Sequence, residues 1–248
     1  MKRFLFYVTA IVALTLFAAC SKNDGDDLKI TSSRNVELTS KNTSQIECSD
    51  SKATYASENE YVATVSATGL ITAKRIGETY IDVNGQKSVK VSVTPAHTDF
   101  TEPQLLFGAT KDEVLAKVGT NYILSDEDGV AYMTSNIRIK GYLYILTDGK
   151  VSSVVMMVNS DYLNSLTDFL LERYIPITIS EEDYTALYAN GLTADKITML
   201  IGEQIYSASI INVFYMPNTY SKSRSVANVD NEKIKQQAYR LLEKLNLK

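Results

Sequence analysis

Hydrophobic and polar positions alternate along much of residues 28–95. Val89-Lys90-Val91-Ser92-Val93 carries an apolar residue at every second position, which is the pattern of a strand with one buried face. Asn84-Gly85 precedes this strand, and Asn-Gly between two apolar runs predicts a tight hairpin because both turn positions need positive φ. Short strands separated by turns of this kind predict a β-sandwich.

A mixed pattern follows from residue 104 to residue 217. Thr110 is suited to cap a helix that ends before Gly119, with Asp112 and Glu113 in the first turn, where the helix dipole favours acids. A second helix is predicted over Tyr162–Tyr174 from its apolar face. Strands are predicted at Val130–Ile139, Tyr142–Thr147, Val151–Val158, Ile175–Ile179, Tyr184–Tyr188, Ile197–Ile201 and Ser209–Tyr215. Asp148-Gly149 predicts a tight hairpin between the second and third of these strands. This order, α-βββ and then α-ββββ, predicts an α+β domain with an antiparallel sheet and helices on one face, and a duplication would explain it.

Residues 218–248 read as a polar linker and a C-terminal amphipathic helix. Ile234, Ala238, Leu241, Leu242 and Leu245 share one stripe of this helix. The stripe favours docking on the preceding sheet. The basic character of the segment leaves open an alternative, in which the helix binds a partner or an anionic membrane surface.

The first 19 residues have the order of a secretory signal peptide. Lys2 and Arg3 precede an apolar run that ends in small residues. Leu16-Phe17-Ala18-Ala19-Cys20 resembles the lipobox of bacterial lipoproteins, in which the cysteine becomes the acylated N-terminus. The resemblance implies cleavage before Cys20, lipidation of Cys20 and attachment to a membrane through that lipid.

Residues 20–27 form a polar, acidic tether, which resembles the export signal of surface lipoproteins in Bacteroidetes-type bacteria. Removal of residues 1–19 would leave 23 basic residues against 29 acidic residues, a charge of about −6, and such a chain is a poor partner for nucleic acid. Residues 96–103, bracketed by Pro95 and Pro103, are interpreted as the linker between the two domains.

One segment of the sandwich carries specific motifs. Tyr61-Val62-Ala63-Thr64-Val65 is followed by Gly69-Leu70-Ile71-Thr72-Ala73, by Gly77, and by an alternating strand that ends before Pro95. These motifs resemble the bacterial immunoglobulin-like domain, group 2. The resemblance implies an Ig-like fold over residues 28–95 and a role as a spacer or adhesion module, and it implies no catalytic site. Residues 108–119 also resemble, over a short stretch, repeats of small outer-membrane assembly lipoproteins and β-lactamase-inhibitor-like domains.

Little in the sequence points to catalysis or to a cofactor. His97 is the only histidine and lies in the linker, and no common catalytic, phosphate-binding or metal-binding motif is present. Asp126 and Asp128 are interpreted as parts of a hairpin turn, because a calcium loop needs further oxygen ligands. With Cys20 acylated, Cys48 has no disulfide partner within the chain. A small buried strand residue is the favoured interpretation, and a thiol that is reactive or pairs between chains is the alternative.

Tyrosine is the aromatic residue that stands out, with 16 copies and no tryptophan. Its ring and hydroxyl suit binding surfaces, although they also suit ordinary strands. The candidate binding surface comprises Tyr132, Tyr142, Tyr144, Tyr184 and Tyr188. We expect a non-enzymatic, surface-exposed outer-membrane lipoprotein that presents a domain for a protein or glycan ligand. An envelope enzyme and a structural subunit of an envelope complex are the alternatives.

Overall fold

The computed structural model describes residues 29–180, 185–218 and 231–245. Cys20 and the signal segment lie outside these residues. The described chain comprises an Ig-like β domain and a β-rich domain with three α-helices and one short 3-10 helix, Ser160–Tyr162.

The Ig-like domain is built from two small sheets in the described residues. Its strands are β1 Asn35–Thr39, β2 Thr43–Gln45, β3 Tyr55–Ser57, β4 Ala63–Val65, β5 Leu70–Ala73, β6 Gly77–Val83 and β7 Gln86–Thr94. One sheet has the order β1-β7-β6-β3, with β1 parallel to β7, and the other has the order β2-β5-β4. Alternate residues of β6 and β7, among them Ile81, Val83, Val89 and Val91, are completely buried between the sheets, as a half-buried strand requires.

The predicted hairpin turns are confirmed by their backbone angles. Asn84 has φ 51° and Gly85 has φ 76°, while Asp148 has φ 50° and Gly149 has φ 73°. Positive φ at both central residues matches the twist of the flanking strands. The two pairs therefore fix the register of β6 with β7 and of the longest hairpin in the second domain.

The second domain contains one continuous eight-stranded antiparallel sheet. Its elements are α1 Lys111–Val118, β8 Leu124–Ser125, β9 Gly129–Met133, β10 Ile139–Thr147, β11 Lys150–Asn159, α2 Leu163–Leu171, β12 Ile175–Ser180, β13 Thr185–Ala189, β14 Met199–Ser207, β15 Ile210–Pro217 and α3 Asn231–Lys244. The strand order is β12-β13-β14-β15-β11-β10-β9-β8. The short strand β8 was not predicted, so the first unit has four strands rather than three.

The two α-ββββ units form the two halves of the sheet, and each unit runs from an outer strand to a central strand. The central strands β11 and β15 pair antiparallel, with Val155 opposite Phe214. Val130 pairs with Tyr144, which pairs with Val154. In the other unit Ala186 pairs with Glu203, which pairs with Val213. Counted from the turn of each hairpin, Tyr144–Val154 and Glu203–Val213 are both the fourth pair, so Tyr144 and Glu203 occupy equivalent positions.

The helices cover both faces of the sheet, and the prediction of helices on one face was wrong. Val114 of α1 and Phe169 of α2 pack on the face that contains Tyr144 and Met156. Leu241 and other residues of α3 pack on the opposite face. The physical reason is that the central strands are apolar on both sides, so each face requires a cover.

The C-terminal helix α3 docks on the sheet, which is the arrangement that its apolar stripe favoured. Ala238, Leu241 and Leu242 are completely buried against the sheet. Lys244 Nζ lies 2.6 Å from an Asp126 carboxylate oxygen and 3.1 Å from one of Asp128. The acidic turn therefore holds the end of α3, and Lys244 chiefly, with Arg240, lowers the pKa of the Asp128 carboxyl.

A buried carboxylate fastens the linker to the β-rich domain. Glu172 directly follows α2, is 3% exposed, and accepts hydrogen bonds from the Ala96 N–H at 2.9 Å and the His97 N–H at 3.2 Å. Arg173 Nη1 lies 2.6 Å from the same carboxylate. Phe100 is buried and packs against Phe169, with 5.4 Å between ring centroids.

The Ig-like domain is attached to this same point. The Ile76 N–H donates to the backbone carbonyl of Glu172 at 2.9 Å. The Tyr61 hydroxyl donates to the carbonyl of Arg173, and the Arg75 guanidinium lies 5.2 Å from the centroid of the Tyr61 ring. Polar contacts at the end of α2 therefore join the linker and both domains.

Candidate functional site

A pocket of about 240 Å³ lies between α2 and strands β12 to β14. Its apolar walls come from Leu163, Ile179, Ala186 and Ile205. Polar side chains also line it, and these are Asn164, Thr167, Ser180, Thr185, Tyr188 and Glu203. An apolar concavity with a few polar groups is the usual form of a small-molecule site.

Tyr188 and Glu203 form a buried polar pair in the wall of this pocket. The Tyr188 side chain is 1% exposed, Glu203 is 7% exposed, and the Tyr188 hydroxyl donates to Glu203 Oε2 at 2.8 Å. Burial raises the pKa of the Glu203 carboxyl, and the hydrogen bond from Tyr188 offsets part of the rise. Within the described chain, Glu203 makes no salt bridge, so its charge lacks a compensating cation.

The other unit explains why a pocket exists here. Its equivalent space is filled by the buried Tyr144 ring, which meets the Tyr132 ring edge-on with centroids 5.9 Å apart. Glu203 stands at the position of Tyr144, and Ala186 stands at the position of Val130. Two smaller side chains therefore replace a ring and a β-branched residue, which leaves space between the sheet and its helix.

A larger, more polar cleft of about 570 Å³ lies between the two domains. The Ig-like side contributes the segment from Ser57 to Tyr61, and the β-rich side contributes Asn190 to Thr193 together with Lys196. Glu58 in this cleft already pairs with Lys87 at 2.9 Å. The cleft lacks the buried, uncompensated charge that marks the pocket beside α2.

The predicted tyrosines do not share one surface. Tyr132 donates to the Gly119 carbonyl and Tyr142 to the Thr101 carbonyl, both at 2.8 Å, and Tyr144 is buried. Tyr188 lies in the other unit and lines the pocket, while Tyr184 lies outside the described residues. A binding role for these residues stays a prediction, with Tyr188 the one that a pocket supports.

The remaining candidates have ordinary surroundings. Cys48 is a free, partly buried thiol whose sulfur lies 3.2 Å from the Tyr55 hydroxyl. The backbone N–H of His97 donates to the Glu172 carboxylate at 3.2 Å. Across residues 29–180, 185–218 and 231–245, no group of three or more His, Cys, Asp or Glu side chains is placed to hold a metal ion. No helix in that part of the chain is long and apolar enough to cross a membrane.

Sequence reasoning missed Glu203. It sits in the run Met199-Leu200-Ile201-Gly202-Glu203-Gln204-Ile205, where a single acid suggests a solvent-facing position. The available signal was its spacing from Ile201 and Ile205, because residues two apart on a strand share a face. That alternation places the carboxyl on the same face as two isoleucines.

Comparison with known proteins identifies the first domain alone. Residues 29–95 match the model of the bacterial Ig-like domain (group 2). No curated protein matches the chain. A solved structure of an extracellular protein containing a SCP domain from Bacillus anthracis is similar at 12% identity and a TM-score of 0.22, over 59% of this chain. The alignment spans 63% of that protein, which is less than two thirds of its length.

Proposed function

We propose that the protein is a lipid-anchored component of the bacterial cell envelope, displayed at the outer surface, whose Ig-like domain presents the β-rich domain to a ligand. The observation that carries the proposal is the group 2 Ig-like domain at residues 29–95, a module type of bacterial surface proteins. The Ig-like domain begins directly after the lipobox-like segment and the acidic tether. Cys20 supplies the membrane attachment.

The junction supports the presenting role of the Ig-like domain. Glu172 and Arg173 contact the linker and the Ig-like domain through their side chains and backbone carbonyls. A fastened junction holds the second domain in one orientation relative to the Ig-like domain, whereas a flexible linker would let it reorient. The pocket beside α2 is the proposed place where the presented domain binds its ligand.

Two other functions are each favoured by one observation. The Tyr188–Glu203 pair is an acid-plus-tyrosine arrangement, which an envelope enzyme would use. Glu203 is the only acidic residue among the described residues that line the pocket, whereas glycoside hydrolysis of the common kind needs two carboxylates. A structural subunit is favoured by the outer strand β12, where Ile177 is 51% exposed and Ile179 is 65% exposed.

Metabolic labelling tests the anchor. Cells that produce the wild type, Cys20→Ala or Cys48→Ala would be given radiolabelled palmitate, and the protein would be immunoprecipitated. We expect label on the wild type and on Cys48→Ala, which is the matched cysteine control, and none on Cys20→Ala. Label on Cys20→Ala, or no label on any of the three proteins, would refute lipidation at Cys20.

A further inference from the structure

The two units of the β-rich domain differ in how the space between the sheet and its helix is filled. The Tyr144 ring occupies the space between sheet and helix in the first unit, packed against Tyr132 and Val130. In the second unit the equivalent space beside Tyr188 is the open pocket of about 240 Å³. The missing group therefore has about the size of an aromatic ring.

The carboxylate of Glu203 indicates which polar group a ring-shaped ligand of this pocket would carry. Glu203 accepts one hydrogen bond from Tyr188 at Oε2, and no other described residue donates to its carboxylate. A carboxylate removed from water is stabilised by a cation or by a further N–H donor. The pair Tyr188–Glu203 consequently offers a free acceptor and an uncompensated negative charge beside apolar walls.

We propose that this pocket binds an aromatic ring that carries a positively charged amine, with Glu203 as the acceptor for the ammonium group. The ring takes the place that Tyr144 fills in the first unit and packs against Leu163, Ile179 and Ile205. Tyr188 is a positioning residue, because its hydroxyl holds one carboxylate oxygen and leaves the other for the ligand. This inference rests on the proposed ligand-binding role of the β-rich domain and names the ligand class.

The probe is benzylamine, which is protonated at neutral pH and has the size of one ring. Benzyl alcohol is the neutral control and benzoate is the anionic control. Each would be titrated into the full mature chain, with binding followed by NMR of the Ile and Leu methyl groups. For a ligand of this size we expect a benzylamine dissociation constant on the order of 1 mM, weaker binding of benzyl alcohol, and no binding of benzoate.

Two substitutions separate charge from space. Glu203→Gln keeps the side-chain shape and an acceptor for Tyr188 but removes the charge, so benzylamine affinity should fall about tenfold or more, while benzyl alcohol affinity should not change. Glu203→Tyr copies the first unit and fills the pocket, so neither compound should bind. The circular dichroism spectrum and the thermal melting curve of each variant establish that it is folded.

Three results would overturn the inference. The first is equal affinity for benzylamine and benzyl alcohol, which would reject the charged head group while retaining the pocket as a ligand site. The second is unchanged benzylamine affinity in folded Glu203→Gln or Glu203→Tyr, which would place binding elsewhere. The third is no saturable binding of benzylamine. None of these results bears on lipidation of Cys20, which is tested separately.

Discussion

Glu172 holds the junction between the domains, and its replacement tests how that junction is stabilised. The carboxylate is 3% exposed and accepts from two backbone N–H groups of the linker and from Arg173 at 2.6 Å. Glu172→Gln retains one oxygen acceptor but removes the charge opposite Arg173. Glu102, whose carboxylate lies 3.9 Å from Arg173 Nε, is the remaining counter-charge.

The expected cost follows from leaving Arg173 partly uncompensated. Removing one partner of a buried ion pair costs about 3–5 kcal/mol, and the Glu102 contact keeps the loss near the lower end. We expect Glu172→Gln to lower the free energy of unfolding by about 3 kcal/mol. Glu172→Ala should cost more, because it also leaves the Ala96 and His97 N–H groups without their acceptor.

Urea unfolding of the protein measures this effect. The 16 tyrosines and the absence of tryptophan make tyrosine fluorescence the natural signal. Glu78→Gln is the matched control, because Glu78 forms an exposed pair with Lys90 and its loss should leave the unfolding midpoint unchanged. A Glu172→Gln midpoint equal to that of Glu78→Gln would refute the account of the junction.

Three further predictions concern other parts of the fold. Burial raises the pKa of Glu203, so the folded state holds its proton more tightly, and the contribution of Glu203 to stability should decline as pH rises from the ordinary glutamate value through the raised pKa. Carboxyls with a lowered pKa, such as that of Asp128, act in the opposite direction, so the test is the difference in urea midpoint between the wild type and Glu203→Gln. This difference should fall between acidic and neutral pH, and a difference that does not depend on pH would contradict the prediction. Gly69 has φ 81° and a Cβ there would lie 2.9 Å from the Tyr55 ring, whereas Gly85 has φ 76° with open space around it. Gly69→Ala should therefore destabilise the Ig-like domain by about 1–3 kcal/mol. A smaller shift of the urea midpoint for Gly69→Ala than for Gly85→Ala would contradict this prediction. Leu241 of α3 is completely buried against the sheet, so Leu241→Ala should cost about 2–5 kcal/mol in urea unfolding. The substitution should also speed proteolysis of the helix, and unchanged proteolysis would contradict docking of α3.

The Ig-like domain was predictable because its information is local. Asn84-Gly85 requires a particular turn, and the alternation in Val89–Val93 requires a strand with one buried face. Helix α1 was predictable for the same reason. Thr110 and Glu113 form the reciprocal cap, with the Thr110 N–H donating to the Glu113 carboxylate at 2.8 Å.

Docking of α3 was predicted, but its position on the face opposite α1 and α2 was missed although the sequence contains the signal. Val154-Val155-Met156-Met157-Val158 is apolar at every position, and all five residues are buried. An uninterrupted apolar strand needs packing on both faces, while an alternating strand needs it on one. The apolar strand Val154–Val158 therefore indicates that the C-terminal helix and the earlier helices lie on opposite faces of the sheet.

The junction and the pocket could not be predicted, because each depends on residues far apart in the chain. Glu172 at a helix end is typical of a solvated acid, and its partners lie near residues 76 and 96. Likewise, the pocket depends on the equivalence of Tyr144 and Glu203, which only the strand registers reveal. The pattern of side chains along the sequence does not show which residues of two distant strands pair with each other.

Protease treatment of intact cells tests the central claim most directly. Cells that produce the wild type would be exposed to protease, and loss of the β-rich domain would be followed with an antibody against it, alongside a periplasmic protein as the integrity control. The account predicts that the β-rich domain is removed from intact cells while the periplasmic control survives. A β-rich domain that is degraded only after the outer membrane is permeabilised would contradict surface presentation.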